Sequence, residues 1–396
     1  SSQACSELPT FAASEYTVRA GAIGDASLKI VAPEQMITAQ TATSKVTITE
    51  GIYAESKVTL PGGVELYTNT DIGAVYAKTD AAGVVSAADS SDWNVKLEIV
   101  SGVPTLSLKN ATIGNVNNDT GAWSVQNVVL ACSINSKLNI VVLEDSTITA
   151  KANTISGITD LTVESVGDAK LDVFCGAASM CFPAIRAHRS ENWKGTLTIN
   201  ANLTVTMDMD YSLARPLDAA NVVINGGNVQ LNAAHNCISA ETLTVNGGNV
   251  NFTTTNAAVI CPVNMPDGTV TINGGNVKMV KTEDGGGGAV KAAKFVINGG
   301  NVYGEGWTYG VVADEVEFNG GVIELVARTD EGDGQVFMEG APDLANFQNV
   351  AAVMGMSKDD FIKYDPENAM NVDTGYFKAA KAGTADAPVV PSDEPE

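Results

Sequence analysis

The string Asn-Gly-Gly-Asn recurs along this chain in VVINGGNVQL, LTVNGGNVNF, VTINGGNVKM and FVINGGNVYG, and an altered fifth copy follows in VEFNGGVIEL. Anchoring on the first asparagine gives Asn225, Asn246, Asn273, Asn298 and Asn319, at intervals of 21, 27, 25 and 21 residues. A unit of this size cannot bury its own apolar face, so the recurrence predicts a solenoid whose neighbouring coils share one core. Within a copy Leu243 and Val245 point one way and Thr242 and Thr244 the other, and Val250 and Phe252 resume the first face after the turn. That alternation reads strand, turn, strand. A hairpin meander would instead repeat its turns about every 8–12 residues. Parallel coils set each corner roughly 4.8 Å above its predecessor. The five asparagines are therefore expected to form a hydrogen-bonded ladder, with the two glycines supplying the positive φ of the bend.

A second element precedes each turn, in PAIRA, PLDAA, CISAE, AVKAA and GVVAD, and reads as another strand of the same coil. The expected fold is all-β, a single-stranded parallel β-helix with a right-handed coil. Its regular part spans 195–334, and less regular coils without the glycines fill 41–194. Open solenoid ends expose strand edges, so caps are expected from residues 1–40 and 335–380. The C-terminal cap is expected to be partly helical, because Leu344, Phe347, Ala351 and Met354 fall at helical spacing and Ser357 to Asp360 reads as a capping box. The acidic, proline-containing segment 381–396 reads as a solvated tail.

Forty-six acidic residues against 23 basic ones give a net charge of −23, which opposes nucleic acid and anionic lipid as partners. No run of 18 apolar residues suggests a membrane span. The chain opens on SSQACSELPT and reads as a processed, secreted or surface-displayed form. Six cysteines, Cys5, Cys132, Cys175, Cys181, Cys237 and Cys261, make an even number without any CxxC pair. Disulfides are the expectation, with buried thiols as the alternative.

The stretches CISAETLTVNGGNVNF and AVKAAKFVINGGNVYG resemble the repeats of the secreted, pectin-binding parallel β-helix proteins of plant-degrading bacteria, over about residues 180–325. The resemblance implies the coil and an acidic polysaccharide held through calcium. The acidic pair of the family's repeat is replaced here by Phe182 and Pro183, by Ala234 to Asn236, and by Gly287 and Gly288. Arg186, Ser239 and Lys291 stand where its histidine would be, and Asp218 alone offers a nearby carboxylate.

Tyr303, Trp307 and Tyr309 in YGEGWTYG are expected on the outside of one coil, where flat rings stack on sugars. Arg186, with His188, Arg189 and Trp193, forms the densest basic patch and a second candidate for glycan contact. Asp208 and Asp210 fall at i and i+2, so a strand would present both carboxylates on one face to a cation, calcium being the one expected. The functional expectation is a non-catalytic, extracellular or cell-surface protein binding polysaccharide or surface glycans. A self-assembling subunit of a filament, sheath or adhesive layer is the first alternative, with a β-helix polysaccharide lyase or hydrolase the second.

Overall fold

The computed structural model describes residues 73–114, 137–150, 160–176, 193–207, 215–255, 261–328, 334–367 and 374–391. It also describes the shorter stretches 16–21, 45–50, 56–60, 64–68, 130–132, 155–158, 183–187, 189–190 and 369–370. Every regular element among them is a β-strand.

Each regular coil contributes strands to three faces. Face 1 stacks Ile185–Ala187, Leu217–Asp218 and Ile238–Ser239 under the first halves of Val263–Ile272, Val290–Ile297 and Tyr309–Phe318. Face 2 stacks Thr196–Asn200, Asn221–Gly226 and Thr242–Val245 under the second halves of the same three strands. Face 3 stacks Asn202–Met207, Asn228–Ala233, Asn249–Thr254, Asn276–Lys281, Asn301–Gly306 and Val322–Ala327. All neighbours within these stacks are parallel, and the register is continuous except for shifts at Ile199/Asn200 and between Met265 and Thr269. The parallel β-helix expected from the repeat is therefore the fold.

Register converts the period-2 pattern into columns of like residues. On face 2, Leu197, Val222, Leu243, Val270, Phe295 and Val316 succeed one another and are all buried. On face 3, Leu203, Val229, Val250, Val277, Val302 and Ile323 do the same. Side chains from three faces meet in one interior, so no coil could keep this core dry alone.

The corner between faces 2 and 3 corrects one expectation. Only the second glycine of each pair has positive φ: Gly227 at 87°, Gly248 at 90°, Gly275 at 87°, Gly300 at 86° and Gly321 at 95°. In the later coils the first glycine is required for space, since a Cβ on Gly274 would lie 2.9 Å from the Asn246 carbonyl oxygen, and one on Gly320 2.8 Å from that of Asn298, whereas at Gly226 a Cβ would meet nothing within 4 Å.

The two ends also differ from expectation. Val95–Val100 and Val103–Leu108 form an antiparallel hairpin, and among the described residues parallel stacking starts where Val103–Leu108 pairs with Lys137–Val142. The reason is the two-residue turn at Ser101 (φ 52°) and Gly102 (φ 80°), whose paired positive φ values fit a hairpin and not a solenoid corner. Among the described residues the parallel coils thus begin near residue 103.

The expected helices of the C-terminal cap are strands. Val322–Ala327 pairs antiparallel with Tyr376–Lys381, which pairs with Val350–Ser357, which closes on Asp360–Lys363. Strand Val350–Ser357 is buried at four successive positions, Ala351 to Met354. A strand covered on both faces gives a continuous apolar run that periodicity cannot tell from a helix. Ser357 caps no helix: its hydroxyl accepts from the Asp359 N–H at 3.2 Å inside the hairpin turn.

Candidate functional site

Two asparagine ladders, not one, frame the corner beside face 3. In the first, the amide groups of Asn225, Asn246, Asn273, Asn298 and Asn319 each donate to the Oδ1 of the asparagine one coil below, at 2.7–2.9 Å, beginning from Asn200. The second runs Asn202, Asn228, Asn249, Asn276, Asn301, at 2.8–3.1 Å. Its signal was in plain view, the last Asn of each NGGN, and its position as the first residue of a face-3 strand explains why it stacks. The ladders saturate amides that would otherwise flex, and so fix the edge of face 3.

Outward side chains of face 3 form a row up the coils: Thr204, Gln230, Asn251, Lys278, Tyr303 and Glu324 are successive register partners. Between this row and the second ladder lies a shallow groove of about 400 Å³, lined by Asn251, Asn276, Lys278, Asn301, Tyr303 and Glu324 among others. The Lys278 ammonium lies 5.5 Å from the Tyr303 ring centroid. The Tyr303 hydroxyl donates to Glu305, and burial together with that carboxylate raises its pKa. Glu305 is held in turn by Arg328 at 2.9 Å, and the Arg328 guanidinium sits 5.7 Å from the Trp307 ring centroid. Amides, one amine, one aromatic ring and carboxylates on a rigid sheet make a surface suited to hydroxyl-rich ligands.

The three aromatics of YGEGWTYG do not share one surface. Tyr303 stands in the groove, and Trp307 lies at the next corner beneath Arg328. Tyr309 begins face 1, and its ring lies on Gly288: a Cβ there would fall 2.2 Å from its Cδ2. Arg186 faces out of face 1 with its Nε 3.8 Å from an Asp218 oxygen, away from the groove. Trp193 begins a two-residue strand paired with Arg189–Ser190. Asp208 and Asp210 lie outside the described residues, as do Cys5, Cys181 and His188. Among the described residues no three His, Cys, Asp or Glu side chains converge as a metal would need.

The disulfide expectation is corrected at three of the six cysteines, where the alternative of buried thiols holds. Cys175, Cys237 and Cys261 are buried thiols on different coils, because inward strand positions of a solenoid accept cysteine as a small apolar residue. Cys132 lies in the strand Leu130–Cys132.

One interior cluster was not anticipated. Lys281 ends a face-3 strand with an inward side chain that is 0% exposed, directly above Thr254 at 1%. Cys261, 2% exposed, opens face 1 of the same coil, and Tyr309 is among the groups that act on its thiol. Burial pushes the Cys261 thiol from 9.0 up to about 11, and pushes Tyr309 from 10.0 up to about 12 with the neighbouring sulfur contributing. Burial lowers the Lys281 ammonium below 10.5.

These shifts give a signed prediction. Cys261 and Tyr309 keep their protons in the fold where the unfolded chain loses them, so their stability contribution is intact below pH 9 and is lost toward pH 12. Lys281 acts oppositely, adding stability as pH rises toward 10.5. The denaturant midpoint should therefore fall between pH 9 and 12, less steeply in Cys261→Ala and more steeply in Lys281→Met.

Comparison of the chain with protein-family models, characterised proteins and solved structures finds no match.

Proposed function

We propose that this protein is a non-catalytic polysaccharide-binding β-helix working outside the cell or at its surface, with the outer row of face 3 as its binding strip. The observation that carries the reading is the groove beside Tyr303, where Asn251, Lys278 and Glu324 surround a half-buried ring at a rigid, laddered edge. Rungs of a parallel stack follow one another about every 4.8 Å, so the row offers repeated polar contacts to an extended chain of sugars. Lys278 is exposed and long, and its ammonium can leave the Tyr303 face to a sugar ring.

Charge selects the ligand class. The groove holds one amine against Glu324, with Glu305 adjoining, on a chain of net charge −23. An acidic polysaccharide would meet repulsion there. Neutral glycans are the class this strip favours, and no cation is needed to bridge it. The C-terminal end argues against head-to-tail filaments: antiparallel strands close face 3, and the four-residue outermost strand carries Asp360 and Lys363.

A glycan array probed with and without a chelator tests this. Binding to neutral plant or cell-surface glycans should survive chelation and weaken at least about tenfold in Tyr303→Ala. Uniform absence of binding to neutral glycans would remove the proposal, and chelator-sensitive binding confined to acidic glycans would replace it with the calcium-bridged reading.

A further inference from the structure

All five Asn-Gly pairs of this chain, Asn225-Gly226, Asn246-Gly247, Asn273-Gly274, Asn298-Gly299 and Asn319-Gly320, are rungs of the first asparagine ladder. This dipeptide is the one most prone to lose its side-chain amide, because glycine has no Cβ to keep its backbone nitrogen from the asparagine Cγ. The attack requires the asparagine side chain to swing out of its rotamer, so whatever holds the amide group sets the rate. The ladder is such a restraint, and it does not act equally on its members.

Asn225, Asn246, Asn273 and Asn298 each donate to the rung below and accept from the rung above. Asn319 donates to Asn298 at 2.8 Å, and among the described residues nothing donates to its own Oδ1. The backbone around the upper rungs is otherwise alike. The N–H groups of Asn246, Asn273, Asn298 and Asn319 each donate to a carbonyl of the coil below at 2.7 Å. The glycines after Asn273, Asn298 and Asn319 are equally confined, since a Cβ on any of them would fall 2.8–2.9 Å from the carbonyl oxygen of the asparagine below. Release of an inner rung therefore breaks two side-chain hydrogen bonds, and release of Asn319 breaks one. Exposure ranks the sites the other way, because Asn319 is half-buried and the other four are exposed.

We propose that the ladder shields its own asparagines from deamidation, that Asn319 at its open end is the site of modification, and that loss proceeds from there rung by rung. The Gly320 backbone nitrogen gives its proton to hydroxide and bonds to the Asn319 Cγ. The bond from Cγ to the side-chain nitrogen breaks, and that nitrogen takes a proton from water and leaves as ammonia, regenerating hydroxide. Water then opens the succinimide at either carbonyl, giving aspartate or isoaspartate. In total one amide and one water give one carboxylate and one ammonium ion. A carboxylate has no hydrogen to donate to the Asn298 Oδ1. Asn298 is then held by a single bond to Asn273, as Asn319 had been to Asn298, and becomes the next rung to convert. Each step adds a negative charge to the corner beside face 3.

The test is a time course of the whole folded protein at mildly alkaline pH, with peptide mapping that separates asparagine, aspartate and isoaspartate at each of the five sites. Asn319 should convert first, about fivefold faster than Asn298, the ratio expected of one hydrogen bond fewer. In denaturant the five rates should converge. Asn319→Asp, which copies the first product, should speed conversion of Asn298 by a similar factor. Equal rates in the folded protein, or Asn319 slowest as its exposure alone would have it, would overturn the proposal. So would Asn225 leading, since a Cβ on Gly226 would meet nothing within 4 Å and the order would then report room in the backbone. An Asn319-first order that persists in denaturant would trace it to local sequence and overturn the shielding, and an unchanged Asn298 rate in Asn319→Asp would overturn the rung-by-rung course.

Discussion

Gly275→Ala is expected to destabilise the protein by about 3 kcal/mol or more, among the largest effects of any single methyl group in the chain. Two independent penalties coincide there. The residue sits at φ 87°, where an L side chain is strained, and its new Cβ would fall 2.6 Å from the Gly248 carbonyl oxygen and 2.8 Å from the Gly247 carbonyl carbon. Neither atom can move away, because Gly248 is itself held by the hydrogen bond that the Asn276 N–H makes to its oxygen at 2.8 Å. Gly226 supplies the control: it is the first glycine of its pair, has no positive φ, and has nothing within 4 Å of the position a Cβ would take. Gly226→Ala should leave the denaturant midpoint nearly unchanged. Equal effects at the two sites would show that the stacked corner does not have the geometry described.

Phe377→Ala should cost about 3–5 kcal/mol and also change the protein's association state. Phe377 is wholly buried at the junction between the last coils and the C-terminal cap. Its ring meets Phe337 edge-on at 5.0 Å, Tyr364 at 5.4 Å and Phe318 at 5.7 Å. Removing the ring leaves a cavity that the rest of the cluster cannot fill, and loosens the strand that covers Val322–Ala327. A bare face-3 edge is a template for another chain. Light scattering should report a concentration-dependent oligomer in this variant and a single species in the parent. A variant that is destabilised yet stays monomeric would mean that the edge is protected by something other than this cap.

The same cap bears on the binding strip. Lys378 pairs in register with Glu324, so the row that begins at Thr204 continues into the antiparallel strand beyond the solenoid proper. The cap therefore ends the rod without ending face 3, and the groove beside Tyr303 lies near that junction rather than at mid-rod.

Much of this was legible in the chain. The spacing of Asn225, Asn246, Asn273, Asn298 and Asn319, with alternation on either side, determined the parallel coil, its corner and the inward columns, because a repeated unit without a core of its own has few ways to bury apolar residues. The Tyr303 ring was recognisable as outward-facing from the same alternation. What the sequence could not determine was anything set by contacts between coils or across the interior. Whether each corner glycine is needed for φ or for room depends on the carbonyl of the coil below. The strands of the cap look helical because both faces are covered. Tyr309 turns onto Gly288 while Tyr303, in the same short stretch, stays in the groove. Lys281 reads locally as one more polar strand residue, and only the closing of a full turn brings it, Cys261 and Tyr309 together, since side chains 20 or more positions apart become neighbours only when the backbone comes round to meet itself.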